Sequence, residues 1–194
     1  AINKFDSRKC PIIIFSLFLF VNSIGTTMAY EEPKYELIKS TDIYEIRYYE
    51  DRLAVQTLQT SGEDSSFRRL FKYISGSNQG SSKISMTTPV IESDEGSGLV
   101  MHFFLPETYT RETAPLPNEY NVKLVTVKGG YYAVIKYSGR YTNQNHKRHS
   151  ALLTDALNKD SILIKSNVIK AAYNGPFTPF FLRRNESMYR VEWE

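Results

Sequence analysis

Residues 43–59, IYEIRYYEDRLAVQTLQ, and residues 67–74, FRRLFKYI, decide the fold. In the first stretch Ile43, Glu45 and Arg47 alternate with Tyr44, Ile46 and Tyr48. A period of two is a strand with one buried face. A turn at Glu50-Asp51-Arg52 leads into a second strand over Ala54–Gln59. In the second stretch the period changes. Phe67, Leu70, Phe71 and Ile74 fall at i, i+3, i+4 and i+7, one stripe of a helix. Ser61 with Asp64 three residues later resembles a capping box, and Gly76 stands where a glycine ends a helix.

Outward from this unit, Ser77–Ser82 is a polar loop. Ile84–Ile91 and Leu99–Leu105 read as strands joined by Glu92–Gly98. Pro106–Pro117 is an irregular crossover. The order then repeats. Strands over Tyr120–Val127 and Tyr131–Tyr137 flank Lys128-Gly129-Gly130, a hairpin turn. A helix follows over Asn143–Asn158, with Leu152, Leu153, Ala156 and Leu157 on one stripe. Val168–Tyr173, Thr178–Arg183 and Met188–Trp193 read as three more strands. In the last, Trp193 shares an apolar face with Tyr189 and Val191, which predicts its burial. The pattern ββαββ followed by ββαβββ implies an α+β fold. Its natural solution is a distorted antiparallel β-barrel of two similar halves, flanked by two α-helices. Near closure of the sheet protects its edges.

The 194 residues amount to one domain, with 41% hydrophobic and 23% charged side chains. The net charge is +3 and both signs are interspersed, which argues against a nucleic-acid binder. Residues 1–29 read as a secretory signal peptide. Lys4, Arg8 and Lys9 precede the apolar run Ile12–Val21, and small residues lead to Ala29. A retained membrane anchor is the alternative. Cleavage gives a mature domain over residues 30–194, secreted or periplasmic, without a membrane span and monomeric. Cys10 is the only cysteine, so the mature chain has none. Thiolate catalysis and cysteine-ligated metals are thereby excluded from it.

Motifs for chemistry are sparse. There is no nucleophile elbow, phosphate loop or dinucleotide fingerprint. His146 and His149 could meet one metal, but a solvated basic first turn is the plainer reading. His102, on a strand face with Val100 and Phe104, is a weak candidate for an axial haem ligand. A partly buried, hydrogen-bonded histidine is the plainer reading there too. Asn185-Glu186-Ser187 is a glycosylation sequon. The first helix is more informative, since Arg68, Arg69 and Lys72 flank its apolar stripe. Either the stripe packs and the charges are solvated, or part of it stays open for a flat apolar ligand with carboxylates.

The chain resembles the SOUL haem-binding protein family almost from end to end. The resemblance is carried by Glu32–Leu37 with Tyr44–Tyr48, by FRRLFKYISGSN at 67–78 followed by KISMTTPV at 83–90, and by APLP at 114–117. AYNGPFTP at 172–179 and RRNE at 183–186 complete it. Each motif is weak alone; five in order are specific. The resemblance implies a distorted barrel with two helices. It also implies non-covalent binding of haem or another tetrapyrrole, without catalysis, beside the first helix. The cofactor-binding positions it points to are Arg68, Arg69, Phe71 and Lys72. Helix spacing puts Arg68 and Lys72 on one face as the propionate pair, and Leu70 with Phe71 supplies the apolar floor. The family has no dependable axial-ligand motif. Two other functions stay open: a ligand-free protein-interaction module, and an enzyme acting on a small apolar substrate.

Overall fold

A computed structural model describes residues 30–59, 65–96 and 98–194. The signal-peptide reading of residues 1–29 and the Ser61–Asp64 capping box lie outside these residues. The described chain runs β1 (Glu36–Ser40), β2 (Glu45–Tyr49), β3 (Arg52–Leu58), α1 (Ser66–Ile74), β4 (Val90–Asp94) and β5 (Leu99–Phe104). It continues with β6 (Val122–Val127), β7 (Gly130–Tyr137), α2 (Asn143–Lys159), β8 (Ile169–Ala172), a 3-10 turn (Phe180–Leu182) and β9 (Asn185–Arg190).

The strands form one curled nine-stranded sheet in the order β1-β2-β7-β9-β8-β4-β5-β3-β6. Its ladders are antiparallel. The duplication read from the sequence is real at the level of pairing. Exchange β2, β3, β4, β5 for β6, β7, β8, β9 and the pairing pattern maps onto itself. β2–β7 becomes β6–β3, β3–β5 becomes β7–β9, and β4–β8 becomes β8–β4. The helices obey the same exchange: α1 packs on β3 and β5, α2 on β7 and β9. The fold is thus an α+β distorted barrel built from two similar halves.

Strand alternation sorts the core into three clusters. Val55, Met101 and Phe103 pack outward beneath Leu70 and Tyr73 of α1. Ile46, Ala133 and Ile135 pack outward beneath Leu153 and Leu157 of α2. Tyr49, Ala54, Phe104, Val134 and Met188 fill the concave side. Gly129 closes the β6–β7 hairpin against the β2–β3 turn, where a Cβ would lie 2.2 Å from the Tyr49 carbonyl oxygen. Gly76, at φ +113°, ends α1 as its sequence position predicts.

Four expectations are corrected. The extended run from Ile84 joins the sheet only at Val90, and its ladder continues to Asp94. The strand expected at Thr178–Arg183 is a turn with one 3-10 element. Pro176 and Pro179 explain this, because neither can donate to a ladder. The last strand ends at Arg190, and Trp193 lies beyond it, half-buried beside Lys39. Finally, β2 is buried on both faces, because Arg47 points into the concave side with no exposure.

Candidate functional site

On nine-residue α1, Leu70, Tyr73 and Ile74 face the sheet. Tyr73 donates from its hydroxyl to the Pro115 carbonyl at 2.7 Å. Buried Asn78 braces the following loop by donating to the Tyr73 and Ser82 carbonyls at 2.9 and 2.8 Å. Arg69 folds back onto β3. It donates to Thr57 Oγ1 at 3.0 Å and to the Leu58 carbonyl at 2.8 Å, and it also bonds Ser65.

The outward side of α1 is different. Phe67 and Phe71 are 43% and 48% exposed. Four residues apart, they lie on one line of the helix. Their rings stack at 6.0 Å with planes 13° apart, and Phe67 meets Phe103 edge-on at 5.0 Å. Arg68 and Lys72 are exposed on the adjacent line, with no ion pair among the described residues. The five sequence-predicted residues therefore divide. Phe71, Arg68 and Lys72 share an accessible aromatic and cationic surface. Arg69 anchors the helix. Leu70, expected in the floor of a groove, is fully buried on the opposite side.

This surface continues across the sheet. Val90 pairs with Phe103 on one side and Ala172 on the other, so the three side chains share the outer face. Beyond Ala172 the chain enters the 174–182 turn, where Phe177 is fully exposed and Phe181 and Leu182 largely so. Arg183 holds this turn by donating to the Thr178 and Pro176 carbonyls at 2.8 and 2.7 Å. The sequence reading missed this exposed apolar turn by assigning the segment to a strand. The two prolines were the available signal.

His102 lies elsewhere. On β5, Met101 and Phe103 face α1, so His102 and Phe104 face the concave side. Its Nε2 lies 3.0 Å from Gln56 Oε1 and 3.4 Å from Glu95 Oε1. Burial lowers its pKa to about 4, so the ring is neutral at physiological pH. A ligand resting on α1 cannot reach it through the sheet.

His146 and His149 do not form a metal pair. His149 stacks flat on Tyr137 at 4.1 Å, while His146 Nδ1 contacts Ser187 Oγ at 2.9 Å. The two histidines are half-buried, while Lys147 and Arg148 between them are solvated as expected. Ser187 is fully buried with Asn185 and Glu186, which closes the sequon to glycosylation in the folded chain. Among the described residues no three His, Asp, Glu or Cys side chains converge to hold a metal ion. None of their helices is long and apolar enough to cross a membrane.

Comparison with known families matches residues 30–190 to the SOUL heme-binding protein family. The chain belongs to this family. Curated protein sequences give no match. Among solved structures, a hydrolase from Listeria innocua is similar with a TM-score of 0.56 and 10% identity, over 80% of this chain and 94% of that one. An uncharacterized conserved protein from Listeria innocua gives 0.58 and 12%, over 77% and 92%. The EcmrR C-terminal domain gives 0.56 and 11%, over 82% and 99%. At these identities the likeness is one of fold.

Proposed function

We propose that this SOUL-family protein is an exported, non-catalytic, monomeric binder of haem or a related tetrapyrrole, held non-covalently on the outer face of α1. The observation that carries the reading is the exposed Phe67–Phe71 stack beside exposed Arg68 and Lys72, which make no ion pair among the described residues. An apolar plate with carboxylates on one edge needs an aromatic surface for its face and cations within reach of its rim. The residues fit that need. Phe67 and Phe71 take the apolar face, and Arg68 with Lys72 take the propionates. Val90 and Ala172 lie on the same outer face of the sheet.

Haem brings its own iron chemistry; the chain supplies shape and charge. His102 is separated from α1 by the sheet, so binding there does not draw on it. The non-catalytic part of the reading is supported by the match to a heme-binding family. The likeness to a Listeria hydrolase carries no activity to this chain at 10% identity. Export rests on the charged and apolar pattern of residues 1–29.

Titrating the protein with haemin tests the reading. A saturable Soret shift at one equivalent is expected. A linear, unsaturable response would favour an interaction module whose partner is another protein.

A further inference from the structure

The turn over residues 174–182 presents Phe177, Phe180, Phe181 and Leu182 to solvent, Phe177 with its whole side chain. Single exposed apolar residues are ordinary on a protein surface, but these are clustered on one short turn. The cluster projects instead of lining a groove: nothing covers Phe177, and the Phe180 and Phe181 rings meet edge to face at 5.6 Å.

The main chain of the turn satisfies itself. Pro176 and Pro179 carry no N–H. The Pro176 and Thr178 carbonyls accept from Arg183 at 2.7 and 2.8 Å. The Gly175 and Pro179 carbonyls accept from the Thr178 and Leu182 N–H groups at 3.2 and 2.9 Å, and the Phe180 carbonyl accepts from the Gly139 N–H at 3.0 Å. A loop in water can leave such carbonyls to solvent. A loop that enters lipid has to bond them within the protein.

Charge around the turn has one sign. The Gly139 bond ties it to the β7–α2 connection, where exposed Arg140 lies 5.1 Å over the Phe180 ring and has no ion pair among the described residues. No Asp or Glu occurs over residues 137–154 or 161–185, which carry Arg140, Lys147, Arg148 and Arg183 among their cations. Glu32, which approaches the foot of the turn, is held by Arg184 at 2.8 Å.

We propose that this turn docks the protein peripherally on an anionic lipid bilayer. Phe177, Phe181 and Leu182 enter the headgroup boundary, and Arg140 meets lipid phosphates. An apolar tip with phenylalanine and leucine, flanked by cations, matches such a surface in both polarity and charge. A protein groove could take the same phenylalanines but would not call for carbonyls bonded from within. The turn is separate from α1, and the proposal does not rest on the tetrapyrrole reading.

A tryptophan at the tip tests it. Phe177→Trp keeps an aromatic ring at a position that packs against nothing. Its emission is compared with that of the unmutated chain, whose only tryptophan is Trp193. The probes are brominated phosphatidylcholine vesicles with and without phosphatidylglycerol. On the anionic vesicles the added emission is expected to shift to the blue and to be quenched by the bromines. The signal reports the tip itself, whether residues 1–29 are retained or removed. Adding Arg140→Glu should raise the lipid concentration needed for quenching about tenfold. Adding Arg68→Glu with Lys72→Glu should leave it unchanged. No quenching on anionic vesicles, equal quenching on neutral ones, or loss of quenching with the α1 substitutions would overturn the proposal. So would a blue shift that grows with protein concentration without lipid, since the tip would then be meeting a second copy of the chain.

Discussion

Glu186 is a carboxylate with no exposure that accepts from three side chains. Arg47 donates at 3.0 and 3.3 Å, Arg184 at 3.0 and 2.9 Å, and the Tyr173 hydroxyl at 2.9 Å. Removing the charge leaves Arg47 buried with only Glu45 to balance it. Glu186→Gln is therefore expected to destabilise the fold by about 3–5 kcal/mol, read from urea unfolding. An effect under about 1 kcal/mol would mean that the cluster is solvated in solution. His102 makes a second residue-level prediction. Its pKa falls from the usual 6.5 to about 4 because burial disfavours the charged ring. The unfolded chain therefore takes up a proton below about pH 6.5 that the folded chain refuses until about pH 4. Stability should fall as pH drops through that window and level off beneath it. His102→Gln should flatten the slope in part, since His146 is lowered to about 4 by the same cause. Urea midpoints at pH 7 and pH 4.5 measure it; an unchanged slope in the variant would contradict the assignment. The buried, hydrogen-bonded state of His102 was legible from its apolar strand face, but the Glu186 cluster was not. Arg47 alternates with apolar residues and so reads as solvent-facing, while its partner stands 139 positions away.

At the level of elements, β9 and its tail decide a further prediction. The strand stops at Arg190, Val191 makes an isolated bridge to Ile164, and Trp193 packs half-buried with Lys39 Nζ 5.7 Å from its ring. Trp193→Ala should accordingly cost about 1–2 kcal/mol, below the ~2–5 kcal/mol expected for Leu157→Ala in the closed core under α2. Equal losses in thermal unfolding would show that the tail is docked as firmly as the core. The amphipathic stripe of α1 was legible, but its centre was not. The buried line runs through Ser66, Leu70, Tyr73 and Ile74, so Phe67 and Phe71 rotate outward although they share the apolar spacing. A nine-residue helix is too short for periodicity to fix its rotation, and Tyr73 looks polar enough to be placed outside. The same shift moves Leu70 from the expected ligand floor into the core. β1 was not read as a strand, because Glu36, Leu37, Lys39 and Ser40 show no alternation.

At the scale of the whole molecule, the repeated strand–strand–helix–strand–strand order was enough to give the barrel of two halves. Each half contributes matching ladders, so the exchange of β2–β5 with β6–β9 preserves the pairing. What sequence order does not carry is which face of the curled sheet each side chain meets. That is why Arg68, Lys72 and His102 could be considered together, although α1 and His102 lie on opposite faces. The proposed place for a tetrapyrrole is the α1 surface with Phe67, Phe71, Arg68 and Lys72. Haemin affinity measured at the Soret band, in the unmutated chain, in Arg68→Glu with Lys72→Glu and in His102→Gln, tests this most directly. A hydrogen bond to a charged group contributes ~1.5–3 kcal/mol. The charge reversal should therefore weaken binding at least tenfold with an unchanged urea midpoint, and His102→Gln should bind as the unmutated chain does. Intact affinity after charge reversal, or its loss in His102→Gln alone, would contradict the account.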